Sequence, residues 1–407
     1  MMKCRFCDNA MDDPFLDLGS APPSNAYLEE SELRKPEKYF PLKLHVCRKC
    51  WLVQTEDFLE ADELFSDSYA YFSSTSKAWL RHAELYANDM IQRLHLSQNS
   101  LVIEVASNDG YLLKNFSNRG IPSIGVEPTA STAEAAKRLG LDVLEEFFGS
   151  DLGRRLADDG KSADLIVGNN VYAHVPDIMD FTIGLKNALK PGGTITLEFP
   201  HLACLLQHKQ FDTVYHEHFS YLSLFTTVGI FRAAGLKVWH VDKIPTHGGS
   251  LRVFGAHSND PRDITTTVAE VLAEEAFMGL QDIATYRKFQ RQVERVKDNF
   301  LCFLIDVKKR GQTIAGYGAA AKGNTLINYA GVKPDLIPFV CDAAPSKQNT
   351  FLPGSRIPVL SPDTLLEAKP DYVLILPWNI AEEIKHDLSA QGIDCTFVTA
   401  VPDIVLS

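Results

Sequence analysis

Hydrophobic residues recur along the chain in two patterns. Short β-branched runs bounded by turn residues, Leu101-Val102-Ile103-Glu104-Val105, Ser123–Val126, Asp164–Val167 and Thr194–Phe199, alternate with stretches of helical spacing such as Tyr111–Phe116. Trp79–Leu94, an amphipathic helix by its spacing, precedes the first of these strands. Strand and helix in alternation predict a doubly wound, mostly parallel sheet. A charged, mostly helical stretch from Asp263 to Lys309 follows, and a second alternation opens at Thr313–Tyr317, with later strands at 336–342, 372–378 and 395–398. The leading stretch is different, rich in turn residues with short strand-like runs at 39–46 and 51–54. The chain therefore divides into a small module over 1–75, an α/β domain over 76–258, and a helical bridge with a second Rossmann-like domain over 259–407. At 407 residues it is too long for a single core.

The first predicted strand runs into Ala106-Ser107-Asn108-Asp109-Gly110, the position at which open α/β sheets bind ligands. One glycine is too few for the G-x-G-x-x-G pattern that wraps a dinucleotide pyrophosphate. Acid and amide side chains suit a cofactor bearing an amine and ribose hydroxyls, groups that S-adenosylmethionine carries. Glu104, Ser107, Asn108, Asp109 and Gly110 are candidate cofactor contacts, with Glu127 at the end of the second strand for the ribose and Asn169 and Asn170 after the next.

Composition narrows the class. Hydrophobic residues at 45% and charged residues at 23% are typical of a soluble globular protein. Neither a membrane-length apolar run nor a signal-peptide core is visible, so a cytoplasmic protein is expected, and the net charge of −12 argues against a nucleic-acid partner. Cytoplasmic cysteines are seldom in disulfides. Of the eight, Cys4-x-x-Cys7 and Cys47-x-x-Cys50 form two thiolate pairs that complete one tetrahedron, which predicts a structural zinc with no open position for chemistry.

Candidate catalytic groups crowd into Tyr215-His216-Glu217-His218, where a base, an orienting acid and a phenol donor fall together. Metal binding is the other reading, although the two histidines lack the H-E-x-x-H spacing. His174 lies just past a strand end, where a structural and a functional histidine are equally expected. The aromatic linker around Tyr69 either packs an interface or covers a methyl donor. His247 heads a glycine pair that permits close approach to substrate. In the C-terminal alternation, Gly316-Tyr317-Gly318-Ala319-Ala320-Ala321 matches G-x-G-x-x-A and leads into a helix, with Lys322 and Asn324 close behind, a pattern that suits phosphate. Lys347 either meets a diphosphate or is solvated.

The four cysteines, Glu-Val-Ala-Ser-Asn-Asp-Gly, Gly-Asn-Asn-Val-Tyr-Ala-His, Tyr-His-Glu-His-Phe and His-Gly-Gly-Ser-Leu-Arg together resemble the deoxysugar C-methyltransferases, nearest the tetronitrose-type sugar 3′-C-methyltransferases. That resemblance covers nearly the whole chain. It implies a zinc-bearing N-terminal domain, a Rossmann-like S-adenosylmethionine methyltransferase domain, and a C-terminal Rossmann-like domain that helps hold a nucleotide-linked 4-keto-6-deoxysugar. Carried over by position, it makes Tyr69, His174, Tyr215, Glu217 and His218 the active-site set. Within that set His218 is the expected base, Glu217 and Tyr215 orient it or stabilise the enolate, and His174 and Tyr69 hold the sugar or line the methyl path, while the glycine turn and its neighbours put the diphosphate near Lys322, Asn324 and Lys347. The expected reaction is methylation at carbon 3 through an enolate, by a protein whose default state is a monomer. Two other readings stay open from the sequence: an NAD-dependent sugar-nucleotide oxidoreductase using the C-terminal glycine loop, and a non-catalytic zinc-ribbon binding protein on a degenerate methyltransferase fold.

Overall fold

A computed structural model of the protein describes residues 2–58 and 73–407. Its central sheet has seven strands, β1 (Val102–Val105), β2 (Ser123–Val126), β3 (Asp142–Leu144), β4 (Ala163–Asn169), β5 (Leu189–Pro200), β6 (Leu236–Ile244) and β7 (Ser250–His257), in the order β6-β7-β5-β4-β1-β2-β3. All neighbours from β5 to β3 pair in parallel, whereas β7 runs antiparallel to both β5 and β6. Chain order reverses at β1, so the crevice beyond its carboxyl end is the ligand position for this sheet type. The antiparallel strand inserted between β5 and β6 separates the sheet from the all-parallel 3-2-1-4-5-6 dinucleotide fold.

Every residue of β1 is buried, as expected of a parallel strand covered on both faces. One face is closed by the helix Lys77–Arg93, whose Ala83, Tyr86, Ala87 and Met90 pack with Phe116 and Phe254. Ser76 caps that helix, its hydroxyl accepting from the Trp79 amide at 3.2 Å. Two sequence expectations shift locally. In Tyr111–Phe116 only the end is α-helical, over Lys114–Ser117, because the buried Leu112 and Leu113 are held in tighter turns that bond their carbonyls to Asn115 and Phe116. The turn residues Lys190–Gly193, just before the strand expected at Thr194–Phe199, do not bound it but lie within β5 as a bulge between the Leu189 pair with Ala163 and the Thr194 pair with Leu165.

The N-terminal sheet contains Leu16–Ala21, Phe40–Val46 and Val53–Thr55 in antiparallel sequence. Its fourth strand, Ser220–Tyr221, comes from the middle of the chain and pairs Tyr221 with Val53 and Ser220 with Gln54. The C-terminal sheet runs Thr350–Phe351, Pro358–Leu360, Val340–Cys341, Ile314–Tyr317, Tyr372–Ile375, Thr396–Thr399, Val405–Leu406, parallel through its five inner strands with antiparallel edges. The helix Phe289–Lys309 turns one apolar stripe inward, Phe289, Val293, Val296, Phe300, Leu304 and Val307. These side chains share one buried cluster with Leu16, Leu18 and Leu44 of the N-terminal sheet and Val340, Leu374 and Val398 of the C-terminal one. Among the described residues no helix is long and apolar enough to cross a membrane.

The four cysteine sulfurs converge within 4.8 Å of one another, Cys4 lying 3.4 Å from Cys50 and Cys7 3.5 Å from Cys47. Four thiolates with no room for a fifth ligand fit a structural Zn²⁺ and not a catalytic one. Cys47→Ser is expected to release the metal and melt the N-terminal sheet, seen as loss of zinc by elemental analysis together with new protease cuts before residue 58. Full zinc content in that variant, or none in the parent protein, contradicts the assignment.

Candidate active site

The loop after β1 is set by backbone geometry that few residues accept. Ala106, Asn108 and Gly110 all take positive φ, 57°, 48° and 77°, so alternate residues turn back and the loop hugs the strand ends. A Cβ at Gly125 of β2 would stand 2.5 Å from the Ser107 hydroxyl, so only glycine lets the loop lie this close. Glu127 holds the loop from the next strand, its two oxygens accepting from the Asn108 amide at 2.9 Å and the Thr129 amide at 3.0 Å. Asp109 and Asn108 accept from the Ser74 and Ser73 amides at 3.1 and 2.9 Å.

A cavity of about 840 Å³ opens above this loop, near the upper end of the usual range for small-molecule sites. Asn108, Glu127, Asn169 and Asn170 line it, while Glu104, Ser107, Asp109 and Gly110 are not among its lining residues and support the loop from behind. Burial, reinforced by Glu127 and Asp109, pushes the Glu104 carboxyl well above the usual range. The side-chain amides of Asn169 and Asn170 find no hydrogen-bond partner among the described residues, although both are shielded from solvent. Orphaned amides facing a cavity beside a fixed carboxylate fit the amine, carboxylate and ribose groups of S-adenosylmethionine. Phe147, Phe148 and Val126 give the same end an apolar wall.

Further along the cavity the predicted catalytic groups meet. The His218 ring lies 4.0 Å from that of Tyr215 and 4.6 Å from that of His174, centroid to centroid. Burial, with the neighbouring His174 and His247, holds His218 well below the usual imidazole range, while the Thr213 backbone acts in the opposite sense. Burial lowers His174 and His247 to about 4. His247 reaches the wall from a positive-φ position (53°) and packs 5.3 Å from Trp79. The Glu217 carboxylate, 3% exposed, accepts from Asn25 of the N-terminal module, 2.8 and 2.9 Å from its two oxygens. Tyr69 lies outside the described residues.

The C-terminal domain closes the far wall with Ala320, Ala321, Lys322, Lys347 and Asn379. Burial lowers the Lys322 ammonium to about 8, and its Nζ sits 4.6 Å over Trp378 and donates to Asn379 at 2.5 Å. Lys347 donates to the Ala319 carbonyl at 2.7 Å. Asn324 corrects the sequence reading. It is 1% exposed and not among the lining residues, and its amide is spent on the Ser24 carbonyl at 2.6 Å. One helical turn separates Lys322 from Asn324 incompletely, so the two side chains leave on different faces. Sequence reasoning missed Asn25, Trp79, Thr213 and Asn379, all in the wall. For Asn25 the only local signal was the turn-rich run Pro22-Pro23-Ser24-Asn25, which says nothing of what it reaches.

The comparisons agree with this geometry. Residues 4–65 match a family model described as a zinc binding domain, 79–241 a methyltransferase domain, and 245–402 a C-methyltransferase C-terminal domain. The last boundary falls before β7, so a strand of the central sheet is supplied from within the C-terminal family region. The chain is 36% identical to the C-methyltransferase NovU of Streptomyces niveus over 385 residues, 94% of this chain and 91% of that one. A weaker similarity, 32% over 103 residues, relates 24% of the chain to 38% of an uncharacterized methyltransferase of Mycobacterium bovis. Among solved structures, magnesium protoporphyrin IX methyltransferase from Synechocystis with bound SAM is 13% identical, with a TM-score of 0.37 over 50% of this chain and 100% of that one. The methyltransferase domain match and the zinc binding domain match with its four close cysteines give this chain S-adenosylmethionine and a structural zinc as cofactors. With a full-length relative, three matching domains and the cysteine cluster in place, the chain belongs to the C-methyltransferase family.

Proposed function

We propose that the protein methylates carbon 3 of a nucleotide-linked 4-keto-6-deoxysugar through an enolate. The observation that carries this reading is a neutral, buried His218 beside Tyr215 and His174, in one cavity with the Glu127 loop at one end and the Lys322 and Lys347 wall at the other. A proton next to a ketone is removed only if a base and a donor to the ketone oxygen act together. His218 is the base, taking the carbon 3 proton on a ring nitrogen. Tyr215 is the donor that steadies the enolate oxygen, Glu217 orients the base, and His174 holds the sugar against them. S-adenosylmethionine, when bound, supplies the sulfonium methyl that the carbon nucleophile displaces, leaving S-adenosylhomocysteine. Lys322, Lys347 and the start of the helix Ala321–Ala330 face the anionic end of the substrate.

His218→Asn is expected to bind both ligands yet lose roughly a hundredfold or more in turnover, the scale of a lost general base. Deuterium exchange at carbon 3 with S-adenosylhomocysteine present isolates the proton step. Exchange at the parental rate in His218→Asn, with loss in His174→Asn, would transfer the role to His174. Lys322→Ala should chiefly raise the Michaelis constant for the sugar nucleotide, and lost turnover at an unchanged constant contradicts that placement. Burial also makes a pH prediction. His174 and His247 titrate near 4 in the folded protein and near 6.5 when unfolded, so below pH 6.5 the unfolded chain takes up protons that the native state refuses. Their contribution to stability is complete above pH 6.5 and is lost as pH falls toward 4. Urea unfolding across that range should show a shallower decline for His174→Asn than for the parent, and parallel curves refute the assignment.

A further inference from the structure

The segment Ser24–Tyr27 passes from the N-terminal module between the other two domains, and both of its ends are tied to the C-terminal one. The Ser24 carbonyl accepts from Asn324, the Ser24 hydroxyl lies 3.4 Å from that of Thr325, and the Tyr27 hydroxyl donates to the Ala319 carbonyl. That carbonyl also accepts from Lys347, whose ammonium stands 5.5 Å from the Tyr27 ring. Thr325 reaches onward to the Val214 carbonyl at 2.8 Å, just before Tyr215. Between these ties Asn25 enters the cavity wall and sets its Nδ2 against both oxygens of Glu217. One nitrogen with two protons facing two oxygens fixes the rotation of the carboxylate as well as its place. The Thr55 hydroxyl donates to the His218 carbonyl at 3.0 Å.

We infer that Asn25 is a positioning residue for the methyl transfer, clamping Glu217 beside the base, and that Ser24–Tyr27 is a strap linking this clamp to the Ala319 loop and Lys347. The inference rests on the reading of the site given above. It gives the metal-held module a part in the chemistry although its zinc has no open ligand position. It also gives Asn324 a purpose, since its amide anchors one end of the strap. Substrate seated against Lys347 and the Ala319 loop would bear on Tyr27, and through the strap on the angle of Glu217.

Asn25→Ala in the full-length, zinc-loaded protein should lower kcat roughly ten- to thirtyfold, as for a lost hydrogen bond to a charged group, with both Michaelis constants within about twofold and zinc content unchanged. Asn25→Asp, which sets a second carboxylate against Glu217, should lose more. In a Glu217→Gln background Asn25→Ala should add little, because the two residues act as one unit. An additive loss, or an unchanged kcat, overturns the proposal. A substrate-free measurement separates this inference from the reaction reading: in protein labelled with ¹⁵N-asparagine, the Asn25 side-chain amide pair, assigned by its absence from Asn25→Asp, should shift in Glu217→Gln. If that pair shifts while no 4-keto sugar nucleotide is turned over, the clamp stands and the substrate reading fails. If turnover is normal and the pair is indifferent to Glu217, the clamp fails alone. Should Asn25→Ala not fold, the amide test on Glu217→Gln decides, since Asn25 is intact there.

Discussion

Two pairs of facing residues, Val53 with Tyr221 and Gln54 with Ser220, tie the molecule together. The first strand of that ladder begins three residues after Cys50 of Cys47-x-x-Cys50, and the second begins two residues after His218. Backbone hydrogen bonds therefore set the distance between a metal-held module and the stretch proposed to be catalytic, with little slack for either to move. The other contacts at this junction repeat the pattern. Asn25 meets Glu217, Asn324 meets Ser24, Thr325 meets Val214, and the Trp378 indole donates to Asp212 at 2.6 Å, each across a module boundary. A buried polar group without a partner costs on the order of 1–3 kcal/mol, so separating the modules would orphan many such groups at once.

The same enclosure sets the electrostatics. Burial dominates the shifts of His174, His218 and His247 and holds all three neutral at physiological pH, while it lifts Asp212 to about 6 and lowers Lys322 to about 8. The cavity disfavours any lone charge, and it is least hostile to a proton on imidazole when an anion is present. Under the proposed reaction, a substrate diphosphate supplies that anion, so the basicity of His218 rises as the ligand enters. A base kept weak until substrate arrives also limits proton exchange with water. The cost is acid sensitivity of the fold, because each neutral buried histidine is a proton site that only the unfolded chain offers.

Much of the architecture was legible in the linear pattern, because parallel strands buried on both faces demand apolar runs of recognisable length. The failures are local and have local causes. Tyr111–Phe116 reads as helix since its apolar residues suit one, yet Leu112 and Leu113 are drawn inward and the backbone tightens. The Pro-Gly-Gly run reads as a turn before the strand, and β5 absorbs it as a bulge because its parallel partner continues past it.

Features written within a few residues were legible in the sequence alone: two C-x-x-C pairs sufficient for one tetrahedral ion, the acid- and amide-bearing loop after the first strand, and the crowding of Tyr215, Glu217 and His218. Partners distant in the chain were decided only by the tertiary structure. Asn25 and Glu217 stand 192 residues apart, and neither carries a local mark of the other. Asn324 looks like a ligand residue two positions after Lys322, but the helix turns it away from the cavity and the strap takes its amide. The physical reason is common to these cases: short-range spacing governs which atoms can share a metal or a turn, whereas a hydrogen bond between modules depends on how their apolar faces stack.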